Sequence, residues 1–196
     1  MRSVFAVVGG ACFVAVQSLA LAATPVPVSG GAATLSPDNT KIQFVGTHSG
    51  AKPDPRTGGF AKFKGKAEVD AATKSLKSVS VEIDTASLFT EIGQKLTDHL
   101  KSPDFFEVRE YPKATFESTK IAAGTAGKAT ITGKLSLHGV TKEISFPATV
   151  EVGEKGLTLT SEFSIDRTQF GMTYGEGKVE PKVSMTVIVG EKTTAK

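Results

Sequence analysis

The chain has 196 residues, with 23 Lys and Arg against 20 Asp and Glu and a formal net charge of +3. The two signs are interspersed, which excludes an electrostatic track for a nucleic-acid backbone, and the lone cysteine, Cys12, excludes a disulfide framework. The only histidines are His48, His99 and His138, with no His-x-His or His-x-x-x-His pair, so no dedicated zinc site is expected.

Val4 to Ala23 is almost uninterrupted apolar sequence behind Arg2, and it closes on Ala20-Leu21-Ala22, a small-x-small pattern suited to signal peptidase. Residues 1–23 therefore read as a removable secretory signal. An uncleaved membrane anchor is the alternative, weakened by Gly9, Gly10, Gln17 and Ser18 within the stretch. Cys12 would leave with the signal, so an exported domain would be stabilised by its core alone. Residues 24–36 mix proline, glycine and small side chains without periodicity and read as a flexible leader. Residues 37–192 read as one folded domain.

Within that domain, apolar or small residues alternate with charged or hydroxylated ones. The first predicted strand starts near Thr40 and puts Ile42, Phe44, Gly46 and His48 on one face. Ser49 to Gly59, with Pro53-Asp54-Pro55, reads as a turn-rich loop. Ala61 to Asp70 alternates strictly, and Ser78 to Thr85 follows with Val79, Val81 and Ile83 inward. Glu91 to Lys101 carries Ile92, Leu96 and Leu100 at four-residue spacing, the stripe of a helix that would plug or cover the barrel. Ser102-Pro103 suits the start of a second short helix bearing Phe105 and Phe106.

Four further strands are predicted, at Lys113 to Ala123, Ala129 to Leu137, Ile144 to Val152 and Leu157 to Ile165, with His138-Gly139 turning one into the next. A last strand carries Val179, Val183, Met185, Val187 and Val189. The expected fold is all-β: an extended eight-stranded antiparallel barrel of lipocalin-like shape, with a short helix between the third and fourth strands.

Such an interior is either just filled or open to one ligand. The inward positions include Gly46, Gly65, Ala67, Ala114, Ser118, Ala129, Gly133, Ala148 and Ser161 beside Phe44, Phe63, Phe116, Phe146 and Phe163. So many small residues imply a gap along part of the axis, in a barrel roughly 25 Å tall. A long hydrocarbon tail suits that space, each buried CH₂ contributing up to about 0.8 kcal/mol. The contrary expectation is that the phenylalanines fill it.

Two stretches carry a resemblance: Asp98-His99-Leu100-Lys101-Ser102-Pro103-Asp104-Phe105-Phe106 and Tyr111-Pro112-Lys113-Ala114-Thr115-Phe116-Glu117-Ser118. Thr132-Gly133-Lys134-Leu135-Ser136-Leu137-His138-Gly139-Val140-Thr141-Lys142 and Ile165-Asp166-Arg167-Thr168-Gln169-Phe170-Gly171-Met172 extend it. Together they resemble the YceI-like polyisoprenoid-binding proteins, in consistent order from about Ser36 to Gly190. The resemblance implies a lipocalin-like barrel, usually exported to the bacterial periplasm, that holds isoprenoid lipids such as quinones or polyprenyl chains. The chain departs from the pattern after His48, where Ser49-Gly50 and a proline-rich loop replace a hydrophobic residue. It also has no tryptophan, so the Gly-x-Trp mark of ordinary lipocalins is absent.

The candidate ligand-binding residues are Phe44, His48, Phe63, Val81, Ile83, Phe116, Ile131, Gly133, Leu135, Phe146, Phe163 and Ile165. His48 matches the family's histidine at the end of the first strand and by parity points inward, where its imidazole suits a polar head at the mouth. Asp98-His99 is expected to fix the helix to the rim, His138 to serve the turn, and Asp166-Arg167 to be an architectural ion pair, as in the family. Parity further predicts that Gly133→Phe abolishes tail binding in a folded barrel whereas Lys134→Phe does not. No Gly-x-Ser-x-Gly elbow is present, and Gly175-Glu176-Gly177 has no helix after it, so neither a hydrolase nor a phosphate-binding protein is expected.

The sequence reading is thus an exported, non-catalytic protein that sequesters or carries an isoprenoid lipid, with no cofactor, no metal and no nucleic-acid partner. A periplasmic stress or interaction module with a filled barrel is the alternative, and a hydrolase a weaker one. Transient membrane contact and a homodimer are left open.

Overall fold

The structure, a computed structural model, describes residues 23–50 and 52–195. The apolar segment read as a signal lies outside the described residues, except Ala23. Eleven strands form one curled antiparallel sheet: β1 (Ala32–Leu35), β2 (Thr40–His48), β3 (Asp54–Phe60), β4 (Phe63–Asp70), β5 (Ser75–Asp84), β6 (Leu88–Thr90), β7 (Lys113–Ala123), β8 (Lys128–Leu137), β9 (Val140–Gly153), β10 (Gly156–Asp166) and β11 (Lys182–Val189). The order across the sheet is β1-β4-β5-β7-β8-β9-β10-β11-β2-β3-β6. The all-β, mostly antiparallel expectation holds, but the count of eight strands does not.

Each of the three extra strands is short or carries turn chemistry. β1 lies in the segment expected to be a flexible leader, yet it pairs with β4 and buries Ala33 and Leu35, while Val26 bridges Leu157 on β10. Four residues with two buried positions give no readable period. β3 lies in the stretch expected to be a loop. Its prolines and glycines imitate a turn, but Pro55 sits where β3 has β2 on one side only, an edge position that needs no second ladder bond. A Cβ on Gly58 would run into the Phe44 ring and the Phe89 carbonyl oxygen, the latter at 2.7 Å. Gly58 is glycine so that an aromatic ring can lie on the strand. β6 is only three residues long and pairs antiparallel with Gly58 to Phe60 of β3 at the edge of the sheet.

One helix, α1, spans Gln94–Lys101. It starts three residues later than its apolar spacing suggests because Gly93, at φ 133°, breaks the helical path. Ile92 falls before it and is exposed, so the inward stripe is reduced to Leu96 and Leu100. The short helix expected at Ser102-Pro103 is instead a run of turns. The Ser102 hydroxyl donates to the His99 carbonyl at 2.8 Å, closing α1, and Glu107 adopts φ 43°. His138 and Gly139, at φ 51° and 74°, make a tight turn between the paired residues Leu137 and Val140 of β8 and β9.

The β9–β10 ladder stops at Thr149 and Thr160, beyond which the two strands part. At the fork the Ser161 hydroxyl donates to the Pro147 carbonyl at 2.6 Å. Phe170 and Met172, which follow β10, fill the wider end of the fork against Leu137 and Ala114. The far end of the sheet, away from α1, is covered by Val26, Leu35, Leu157 and Val189.

Candidate functional site

The inward face of the curled sheet encloses two cavities. The first, about 140 Å³, lies under α1. Leu96 and Leu100 of the helix and Phe105 and Phe106 of the turns after it cover the cavity. It reaches the surface beside His48, an exposed residue at the end of β2. The second cavity, about 120 Å³, lies deeper in the sheet and is lined by Val81, Phe116, Ile131, Phe146 and Phe163, among others. Ile83, Leu135, Ile165 and Met185 line both and form a waist between them. Thr40 is the one polar side chain lining the deep cavity among the described residues. The first has four: Thr47, His48, Arg56 and Arg167.

Ten of the twelve candidate residues line one cavity or the other. Phe44 and His48 line the first, Val81, Phe116, Ile131, Phe146 and Phe163 the second, and Ile83, Leu135 and Ile165 both. Phe63 lines neither and is instead packed with Ile42, Phe60 and Leu88. Gly133 also lines neither: a Cβ there would meet the Glu117 carbonyl oxygen and, at 2.6 Å, the Phe116 ring. The place of the missing side chain is taken by that ring, so the expected gap is filled there. Gly65 is likewise occupied, with Val81 Cγ2 at 3.1 Å from where a Cβ would stand. Ala129, Ala148 and Ser161 border a separate, polar-rimmed groove of about 600 Å³ beside the fork. The small residues that do border the interior cavities include Gly46, Ala114 and Ala67.

Sequence reasoning missed most of the mouth. Phe60 lies beside a stretch read as a loop and Phe106 on one read as a short helix, and their rings pack with Phe44 at centroid distances of 5.8 and 6.2 Å. Met172 comes from the segment between β10 and β11, and Val179, expected on the last strand, lies three residues before β11 begins and lines the same cavity. Leu96 and Leu100 were legible as the stripe of a helix over the barrel, and they cover the first cavity.

The Asp166-Arg167 pair proves not to be an ion pair. Asp166 accepts from the backbone N–H and the hydroxyl of Thr168 at 2.9 and 2.6 Å, and the hydroxyl bond is the main cause that holds its carboxyl below the usual range. Arg167 is 4% exposed and donates to three carbonyls, from Nη1 to Met172 at 2.6 Å, from Nη2 to Val179 at 3.0 Å and from Nε to Glu180 at 3.2 Å. Burial pushes its guanidinium below its ordinary pKa. Its side chain thereby ties the β10–β11 connection together while bordering the first cavity. Arg56, on the same cavity wall, pairs with the Asp54 carboxylate.

The other two histidines are structural. His99 does not act with Asp98, which accepts from Gln94; its Nε2 pairs with Asp104 at 2.9 Å, and its ring stands edge-on to Phe105 and Tyr174. His138 Nδ1–H donates to the Phe170 carbonyl at 3.0 Å and its ring lies against Tyr111. Its Nε2 is buried without a partner, 3.7 Å from the Glu107 carboxylate. Among the described residues no group of three or more His, Cys, Asp or Glu is placed to hold a metal ion.

A family model described as a YceI-like domain matches residues 34–192. Among solved structures, Burkholderia cenocepacia BcnA superposes with a TM-score of 0.67 at 28% identity, over 76% of this chain and 94% of that one. The Campylobacter jejuni YCEI protein gives 0.57 at 28% identity, over 74% and 86%. A polyisoprenoid binding domain from Saccharophagus degradans shares the fold, with a TM-score of 0.59 at 14% identity over 80% and 95%. A UPF0312 protein of Pseudomonas putida strain W619 is 39% identical over 92 residues, 47% of this chain and 47% of the relative. A UPF0312 protein of Pseudomonas syringae pv. tomato is 41% identical over the same length. The chain thus spans about half the length of the curated relatives it matches. Because the matched family domain covers every described strand except the first two residues of β1, the chain belongs to the YceI-like family.

Proposed function

We propose that the protein binds a lipid whose hydrocarbon tail lies along the two cavities and whose polar head rests at the mouth beside His48. The observation that carries this reading is the shared waist: Ile83, Leu135, Ile165 and Met185 border both spaces, so one chain can run through them with small side-chain rotations. The walls are almost wholly aliphatic and aromatic, so tail burial supplies the driving force, at most about 0.8 kcal/mol per CH₂ before association costs are subtracted. Among the described residues that line the two cavities there is no nucleophile–base pair, which favours carriage or sequestration over chemistry.

The isoprenoid class, a polyprenyl chain or a quinone, rests on the motif resemblance and on the binding named for the Saccharophagus degradans domain. A periplasmic or secreted location rests on Arg2, the apolar run to Ala23 and Ala20-Leu21-Ala22. Mass spectrometry of organic extracts from the purified protein tests the reading. A stoichiometric long-chain lipid, with a prenyl repeat in its fragments, is the expected result. An empty extract together with no uptake of added prenols or quinones overturns it in favour of a filled interior.

A further inference from the structure

We infer that Arg167 is the headgroup-recognition residue of the first cavity, and that the molecule bound there carries an anionic oxygen, a carboxylate or a phosphate, at its polar end. This rests on the tail-binding reading above and goes beyond it by naming the chemistry of the head.

The inference starts from an imbalance of charge. Among the described residues that line the first cavity are two guanidiniums and one imidazole, and none is an Asp or Glu. Arg56 has its own carboxylate in Asp54. Arg167 has none in direct contact: its three bonded partners are carbonyl oxygens, no ion pair to it forms among the described residues, and Asp166 acts on it only through space. The acids nearest in sequence are committed elsewhere, Asp166 to Thr168 and Glu180 to the Ser49 hydroxyl at 2.7 Å. A guanidinium offers five N–H donors, so two remain unspent in a residue that is 4% exposed.

A buried cation bonded only to carbonyl oxygens, with the Asp166 charge acting on it but not in contact, is costly, and the cost falls when an anion joins it directly. The surroundings make that anion effective. Apart from Thr47, His48 and Arg56 the cavity wall is apolar, so an ion pair formed there is weakly screened. The three carbonyls fix the planar fork, and the Phe105 ring lies 5.9 Å from its centre, so the donors are held in place before a ligand arrives. A neutral alcohol can accept hydrogen bonds but brings no counter-charge to the guanidinium. A carboxylate or phosphate accepts two and neutralises it.

The test is equilibrium binding of three ligands with one tail, geranylgeraniol, geranylgeranoic acid and geranylgeranyl phosphate, to the full chain. The acid, the phosphate or both should bind more tightly than the alcohol by roughly tenfold or more, as expected for a charge-assisted bond formed in a dry site. Which anion is preferred distinguishes a carboxylate lipid from a phosphorylated one. In Arg167→Met the ratio of anion to alcohol affinity should fall to about one, whatever the overall affinity, and Arg167→Lys should retain part of the preference. Equal binding of all three ligands to the unaltered protein overturns the inference, and this comparison stands even if the variants unfold. Undiminished anion preference in Arg167→Met overturns it too. Failure of all three to bind overturns the tail-binding reading itself, and this inference with it.

Discussion

The rings of Phe146 on β9 and Phe163 on β10 are stacked at 4.3 Å between centroids and 11° between planes, across the place where the backbone ladder between their strands has ended. Two aromatic faces therefore hold together what hydrogen bonds no longer do, and the same rings line the deep cavity. Truncating either removes a stacked pair as well as its own buried area. Phe146→Ala, the more buried member, should lower unfolding stability by about 3–5 kcal/mol, and Phe163→Ala by less. A double-mutant cycle by urea denaturation should show a coupling of about 0.5–1.5 kcal/mol; strictly additive losses would mean that the stack contributes nothing of its own.

Glycine positions that look equivalent in sequence should behave in opposite ways. Gly133→Phe, which parity alone makes a clean block of the interior, should instead fail to fold normally, because a Cβ already meets Phe116 at 2.6 Å and the Glu117 backbone. Even Gly133→Ala should cost about 1–3 kcal/mol. Gly46 has nothing within 4 Å of its absent Cβ and borders the first cavity. Gly46→Phe is therefore the variant expected to lose lipid uptake while keeping its circular dichroism spectrum and its unfolding midpoint. Full uptake by Gly46→Phe would show that the lipid enters elsewhere.

What could be read in advance follows from how each element is encoded. β7, β8 and the long parts of β9 and β10 alternate over ten or more residues, so their inward sets Phe116, Ile131, Leu135, Phe146 and Phe163 were legible. β1, β3 and β6 are set by partners rather than by period: Leu35 faces inward because β4 pairs with β1, and Gly58 is a strand residue because the Phe44 ring covers it. The same limit applies to the site. Arg167 stands in a recognisable motif, but its role depends on the carbonyls of Met172, Val179 and Glu180, which only folding brings to it. A count of small inward residues also overstates the open space, since it cannot register a ring folded over a glycine.

The waist predicts a chain-length effect. Met185 borders both cavities from β11 and is the most easily reshaped of the four waist residues, being unbranched. Met185→Phe should cost no more than about 1–3 kcal/mol in overpacking, and it should cut affinity for long prenols far more than for short ones. Titrating a series of prenols of increasing length reads this directly. A uniform loss across the series would mean that tails do not pass the waist and that the deep cavity plays no part in binding.

Stability should fall with pH through the acid range, and the sign follows from carboxylates that are held charged. Glu82 is lowered by hydrogen bonds from Lys113 and Lys64, whose ammonium groups stand at 3.2 and 3.3 Å. Asp70 is lowered first by the Thr73 backbone N–H, then by Lys77 at 3.1 Å, and Glu68 first by Lys66 at 2.7 Å. Each of these groups releases its proton more readily in the folded chain than in the unfolded one, so their contribution is present above the ordinary carboxylate range of about pH 4. It is lost as pH falls through the lower folded values, where the unfolded chain binds more protons. The urea midpoint should thus be flat near neutrality and drop in acid. High salt should reduce the drop, because these pairs are exposed and screened. Replacing Asp70 by Asn should lower the midpoint at neutral pH and flatten the acid limb, since the backbone N–H groups of Ala72 and Thr73 then lose their anionic acceptor. An acid limb as steep in Asp70→Asn as in the unaltered protein would mean that other carboxylates carry the effect.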